Sequence, residues 1–236
     1  MTCLHGFSQR GESWHELSSL VPGELRWLTP DIAATTADAA VAEIVDLWER
    51  EGVERSHLVG YSAGGRLALA FAVRQPERLL TLTVIAAHAG FEGPARIARR
   101  RADEELARRI EREGIDWFAD YWPSLPILAG LARRRPDLRE SLDAARRGQD
   151  PRRLAAALRG LGGAAGDPLW DQLSSIRVPT LVIAGEEDLP YAEHARRLAR
   201  LIPSSRAEIV PESAHAVHLE NPSAVAALLA AHLSSR

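Results

Sequence analysis

Apolar residues recur along the chain in two rhythms that take turns. Short, nearly continuous apolar runs occupy residues 1–4, 57–60, 79–87, 180–184 and 207–210, and a weaker one at residues 25–28 is ended by Pro30. Runs of this kind suit strands covered on both faces. Between them, apolar positions return every three or four residues, the spacing of one helix face. Residues 14–20, 38–51, 192–201 and 223–233 follow this period, and the stretch after Ser62 is apolar all round. In the helix expected at 38–51, Val41, Ile44, Val45 and Trp48 share a face, Thr35 and Thr36 are candidate N-caps, and Gly52 is a stop. Strands alternating with helices predict an α/β fold, a mainly parallel sheet of about six strands flanked by helices.

The alternation lapses at residues 91–170. This stretch reads as several amphipathic helices punctuated by Gly93, Pro123, Pro126, Pro136 and Pro168, with no convincing strand, and it carries 16 of the 29 basic residues, all of them arginine. The expected organisation is therefore a core at 1–90 and 171–236 with a helical cap inserted at 91–170 over the C-terminal edge of the sheet. A net charge of −3 gives no reason to expect nucleic acid or an anionic membrane as a partner. Cys3 stands alone, which excludes an internal disulfide and any cysteine-based metal site. No window approaches the ~18 apolar residues of a membrane span, and the N-terminus lacks a basic-then-apolar signal pattern. The default expectation is a soluble cytoplasmic protein, with monomer and homo-oligomer both open.

Candidate chemistry starts at Gly60-Tyr61-Ser62-Ala63-Gly64, a G-x-S-x-G pattern between an expected strand and an expected helix. Such a turn pushes one serine out of the top of a sheet, and its glycines answer a lack of room for side chains. A serine hydroxyl is weak until a neighbour takes its proton. In this architecture a carboxylate and then a histidine are expected after later strands. Asp188 follows strand 180–184, and His215 follows strand 207–210. Glu186 and Glu187 are alternatives to Asp188 that come early for the turn; His218 is an alternative to His215 that reads as a bystander at a helix start. His5 is expected to anchor the first loop by hydrogen bonds, and His88 to face the cap side. Negative charge developing at Ser62 needs preorganised donors, for which the backbone N–H groups of Phe7 and Ala63 are the candidates. Arg66, four residues after Ser62, opposes the dipole of a buried helix and demands an anionic partner. A protein carboxylate and a substrate carboxylate are both open as that partner.

Taken together these residues resemble the α/β-hydrolase superfamily over nearly the whole chain. Within it the likeness is strongest to the 2-succinyl-6-hydroxy-2,4-cyclohexadiene-1-carboxylate (SHCHC) synthase, or MenH, family of menaquinone biosynthesis. The matching pieces are His5-Gly6-Phe7-Ser8, the stretch from Gly60 to Ala68, the arginine-rich residues 95–103, Pro168-Leu169-Trp170 with Leu173, Gly185-Glu186-Glu187-Asp188, and Ala214 to Pro222. The resemblance implies a lyase that eliminates pyruvate from a cyclohexene tricarboxylate without a cofactor. It implies Ser62 as base, His215 as acceptor of its proton and Asp188 as orienting acid. It gives Arg66 a carboxylate of a small polycarboxylate substrate, and adds Arg99, Arg146, Tyr61 and Trp122 as substrate-binding residues. It also implies that the family's first strands are missing or truncated here. Asp31 to Thr36 stands where the family carries a D-x-P-G-H-G loop, and Leu189-Pro190-Tyr191 replaces a basic-aromatic pair. The alternative on the same triad is a carboxylesterase or carbon–carbon bond hydrolase with Ser62 as nucleophile; a non-catalytic remnant is the third reading.

Overall fold

The computed structural model describes residues 1–234. Its centre is a five-stranded sheet in which every pairing is parallel and the strands lie in chain order. β1 (Thr2–Leu4) is followed by a short helix α1 (His15–Leu20) and by α2 (Ala37–Arg50), which leads to β2 (Ser56–Tyr61). Helix α3 (Ala63–Arg74) then leads to β3 (Leu79–Ile85). Before the next strand come α4 (Gly93–Tyr121), α5 (Ala129–Arg134), α6 (Arg139–Arg147) and α7 (Pro151–Leu161). The alternation resumes with β4 (Thr180–Gly185), α8 (Leu189–Leu201), β5 (Ser205–Val210), a single turn α9 (Val217–Glu220) and α10 (Pro222–Ser234). No helix among the described residues is long and apolar enough to cross a membrane.

The strand-period runs became strands because both faces are covered. One face packs Trp48 of α2 and Leu69 and Phe71 of α3 against Leu58 and Leu82; the other packs Trp14, Leu17 and Leu229 against Val59, Leu181 and Ile183. Thr36 caps α2 by accepting from the Ala39 N–H, and Gly52 just past its end has φ +66°. Residues 25–28 are the exception, and they account for five strands in place of about six. Only Leu28 bridges β1, through Cys3 N–H to Leu28 O and Leu28 N–H to Met1 O, both 2.8 Å. Pro30, two residues on, has no N–H with which to extend the ladder.

The segment between β3 and β4 consists of helices joined by turns and loops, with no strand among the described residues. Helix α4 is interrupted at Gly114 (φ 85°, ψ −177°) and packs on α7 around its own apolar cluster of Ala107, Ile110, Phe118, Leu154, Ala155 and Leu158. These helices rise over the C-terminal ends of the strands, where the loops carrying the candidate residues also gather.

The close approach of β1, β2 and α3 rests on glycine. A Cβ at Gly64 would sit inside the Leu4 carbonyl, and one at Gly60 inside the Gly64 carbonyl. Both obstacles are backbone and cannot rotate away. Gly64→Ala should therefore destabilise the fold by about 3 kcal/mol, read as a lowered midpoint in urea at unchanged slope.

Candidate functional site

Ser62 sits between β2 and α3 with φ 52° and ψ −111°, a conformation that L-residues rarely adopt. Its own N–H donates to Ile85 O of β3 at 2.9 Å, and its carbonyl takes the first helical bond from Arg66 N–H at 3.0 Å. The backbone is thus held from both sides, and the side chain stands at the N-terminus of α3.

The loops after β4 and β5 are laced together: Glu186 N–H donates to Val210 O, and Glu187 N–H to Ser213 O, each at 2.9 Å. A side chain at Gly185 would block this, because a Cβ there collides with the Ser213 and Ala214 carbonyls. The lacing brings Asp188 Oδ2 to 2.6 Å from His215 Nδ1, and His215 Nε2 to 3.0 Å from Ser62 Oγ. The carboxylate fixes the tautomer: Nδ1–H donates to Asp188, which leaves Nε2 to accept from the serine. Asp188 and His215 are both buried.

The alternatives fall elsewhere. Glu187 pairs with Arg133 at 2.8 Å and with Arg134, which together hold its carboxyl below the usual range, and Glu186 accepts from Glu212 N–H at the surface. His218 is buried between Tyr61 and Trp14, ring centroids 4.3 and 4.6 Å away, with neither ring nitrogen hydrogen-bonded among the described residues. His5 anchors its loop: Nδ1 bonds Gly6 O at 2.9 Å and Nε2 accepts from Ile32 N–H at 3.2 Å. His88 lies at the cavity wall and accepts from Gly90 N–H at 2.9 Å.

A cavity of about 310 Å³ lies over Ser62, between the strand ends and the helical segment. Phe7, Tyr61, Ala63, Arg66, Arg99, Trp122 and Arg146 all line it, together with Ser62 and His215. Neither the Phe7 nor the Ala63 N–H is spent on an acceptor among the described residues. Trp122 stacks on Phe118 and meets Phe7 edge-on. A second cavity, about 340 Å³, lies beyond Phe7, Ser8 and Ala63 and holds none of the Ser62, His215 or Asp188 side chains.

The three arginines differ in how they are paired. Arg99 Nε bonds Asp103 at 2.8 Å. Arg66 donates from Nη1 to Leu161 O at 2.7 Å and has no carboxylate within ion-pair distance among the described residues. Burial draws its pKa down from 12.5 to about 10, against the opposing pull of Tyr191 and Asp103, so it stays charged at neutral pH. Arg146 is buried and its guanidinium makes no ion pair or hydrogen bond among the described residues; burial lowers its pKa too. Its neighbour Arg147 turns outward to Asp116 and Asp143, each at 2.8 Å, and to Asp120. The adjacent pair thus separates into an inward and an outward guanidinium.

Two cavity residues carried no clear sequence signal. Tyr191, three residues after Asp188, meets His215 edge-on at 4.5 Å. Asp103 is a buried acid whose pKa is raised by burial and opposed by Arg99. The four-residue spacing of Arg99 and Asp103 holds the hint of an ion pair, and the substituted Leu189-Pro190-Tyr191 stretch that of the other residue.

A family model described as "Alpha/beta hydrolase family" matches residues 3–228. The chain belongs to the alpha/beta hydrolase family. It is 30% identical over 247 residues to the putative 2-succinyl-6-hydroxy-2,4-cyclohexadiene-1-carboxylate synthase of Bacillus subtilis, covering 100% of this chain and 90% of that one. Among solved structures it superposes on MenH from S. aureus with a TM-score of 0.92 at 25% identity, covering 98% of this chain and 92% of that one. A malate-bound thermophilic esterase from Thermogutta terrifontis superposes with a TM-score of 0.86 at 25% identity, covering 98% and 88%. As an alpha/beta hydrolase, the chain carries its Ser62–His215–Asp188 array at the sheet edge where the fold's strand-end loops meet.

Two buried histidines set an acid limit on the fold. Burial lowers His218 from 6.5 to about 3 and His88 to about 2, the latter helped by Arg66. Each takes up a proton near pH 6.5 when unfolded and resists it when folded, so the unfolded state binds more protons between pH 6.5 and about 3. Stability is full above that window and falls with pH inside it, by about 2 kcal/mol per histidine at pH 5. Urea titrations at pH 7 and pH 5 should show this loss, and His218→Phe should remove about half of it.

Proposed function

We propose that the chain is a lyase of the SHCHC-synthase type, eliminating pyruvate from a cyclohexene tricarboxylate, with Ser62 as base, His215 as acceptor of the serine proton and Asp188 as orienting acid. Residues 91–170 act as the cap that closes over the substrate. The observation that carries this reading is the pair of guanidinium groups, Arg66 and Arg146, lining the Ser62 cavity without a carboxylate in ion-pair distance among the described residues. Buried cations left without an anion are costly. A substrate bearing several carboxylates supplies those anions, and Arg99 adds a third positive group at the wall. The relatives with this printed activity support the same choice.

The steps follow from the geometry. His215 Nε2 draws the proton from Ser62 Oγ while Asp188 stabilises the imidazolium that forms. The serine oxygen, at the positive end of α3, removes a proton from a ring carbon beside a bound carboxylate. The freed C–H electron pair extends the ring's unsaturation and the C–O bond to the enolpyruvyl group breaks. The departing enolate takes up the proton held on His215, which returns the histidine to its neutral form, and leaves as pyruvate. Phe7 and Ala63 N–H groups donate to oxygen that gains negative charge. No step calls for a cofactor.

The same array favours one other reading, a carboxylesterase with Ser62 as nucleophile, because a serine–histidine–acid set beside two free N–H donors also suits acyl transfer, and the similar esterase supports it. Side-by-side assays separate the two. The lyase reading expects turnover of the tricarboxylate with little hydrolysis of p-nitrophenyl esters; efficient ester hydrolysis without pyruvate formation would select the esterase.

A further inference from the structure

Helix α5 touches both loops that carry the histidine and the acid. Arg133 and Arg134 at its end and Arg135 just past it each make a contact on that side. Arg134 donates from Nη1 to Glu220 Oε2 at 3.0 Å and from Nη2 to Glu187. Arg133 reaches the same Glu187 from the exposed side, and Arg135 donates to Leu219 O at 2.7 Å.

Glu220 has no exposed side-chain surface, and its oxygens are fully engaged. Oε2 accepts from Ala214 N–H at 2.8 Å, and Oε1 from Ala216 N–H at 3.0 Å. These are the amides of the two residues that flank His215. Glu187, the other carboxylate held by Arg134, directly precedes Asp188. One guanidinium therefore bridges the clamp on the histidine and the neighbour of the acid. The contact is close because of Gly130, one turn before Arg134. A Cβ there would collide with the Ala214 side chain and come within 2.9 Å of Glu220 Oε2 and 3.0 Å of Arg134 Nη1.

The helix also faces the cavity. Leu131 of α5 and Ile127 and Leu128 just before it line the space over Ser62. The element that would feel a bound substrate is the one tied to both loops.

We propose that Arg134 is a positioning residue, acting through Glu220 and Glu187 to hold His215 and Asp188 in register with Ser62. This rests on the reading of Ser62, His215 and Asp188 as the reacting set. A carboxylate suits the Glu220 position because both oxygens must accept. A glutamine there would turn an N–H₂ toward one donor and lose one side of the clamp. Misplacing a reacting group by about 1 Å costs on the order of a hundredfold in rate.

The test uses the full chain and a fluorophosphonate probe, which reports on Ser62 without any assumption about the natural substrate. The serine oxygen attacks phosphorus, fluoride leaves, and the serine proton passes to His215. Arg134→Met should lower the maximal labelling rate by about ten- to a hundredfold while changing the half-saturating probe concentration less than about threefold. Glu220→Gln should do the same, and the double variant should be scarcely slower than either single one, because both act through one clamp. Arg134→Lys should recover part of the rate. Arg108→Met, which removes an exposed ion pair with Glu104 on α4, should label like the wild type. Hydrogen exchange over residues 211–220 should quicken in Arg134→Met, because the Ala214 and Ala216 amides lose their fixed acceptor. Wild-type labelling rates in a folded Arg134→Met protein, or additive losses in the double variant, overturn the proposal. If the wild type takes no label, the reading of the reacting set fails, and the clamp is judged on exchange alone: protection at 211–220 unchanged by Arg134→Met overturns it, and faster exchange supports it.

Discussion

Ser62→Ala should reduce pyruvate release by about a thousandfold, with substrate affinity nearly unchanged. The lost group is the one that touches the reacting proton, and removing a positioned base costs about 10²–10⁴ in rate. The arginines and the cavity walls remain, so binding survives. Affinity for the tricarboxylate measured by calorimetry on the inactive variant should therefore match the wild-type KM within a few fold. Stability should not fall by more than about 1 kcal/mol, because Ser62 is held in a disfavoured backbone region that alanine also dislikes. Glycine tolerates φ 52° freely. Ser62→Gly should be as inactive as alanine and at least as stable, since relief of strain worth about 1–3 kcal/mol offsets the added freedom of the unfolded chain. Losses in KM alone, with kcat intact, would remove Ser62 from the chemistry.

Arg66→Ala should lower kcat/KM by about a hundredfold to a thousandfold. Its guanidinium is partly buried, charged, and anchored among the described residues by one bond, to Leu161 O, which leaves its other N–H groups to take a carboxylate. Truncating one partner of a buried charged contact costs about 2–5 kcal/mol. Lysine keeps the charge but presents one compact ammonium, so a planar fork-to-carboxylate contact is lost. Arg66→Lys should fall between wild type and alanine without restoring full rate. If lysine and alanine both matched the wild type, Arg66 would serve the fold and not the substrate. Measuring kcat and KM separately adds detail: a rise in KM at fixed kcat marks a contact made equally in ground and transition states, and a fall in kcat marks one that tightens as charge develops.

The parts of the site that were legible in the sequence are those fixed by local rules. Ser62, Asp188 and His215 each follow a strand, and a parallel sheet gathers such ends at one edge; spacing alone therefore brought them together. Arg66 was legible because four residues on a helix is one turn. The Arg146–Arg147 pair was not, because which of two neighbours faces inward depends on where Asp116 and Asp120 of α4 lie. Residues 25–28 carried a strand-like pattern, yet a single bridge formed, since pairing needs a neighbouring ladder as well as apolar side chains. Arg134 and Glu220, 86 residues apart, left no local trace. Their contact depends on how the helical segment folds back onto the His215 loop, and on a glycine that reads in sequence as an ordinary helix residue. The altered 31–36 loop was visible as a departure; that His5 holds it through the Ile32 N–H emerged from the geometry.

The most direct test of the central claim is pyruvate release from the cyclohexene tricarboxylate, followed by coupled reduction of the pyruvate formed. One pyruvate should form per tricarboxylate consumed, without added cofactor, with the rate depending on Ser62, His215 and Arg66. A folded wild-type protein that releases no pyruvate above the uncatalysed background would contradict it.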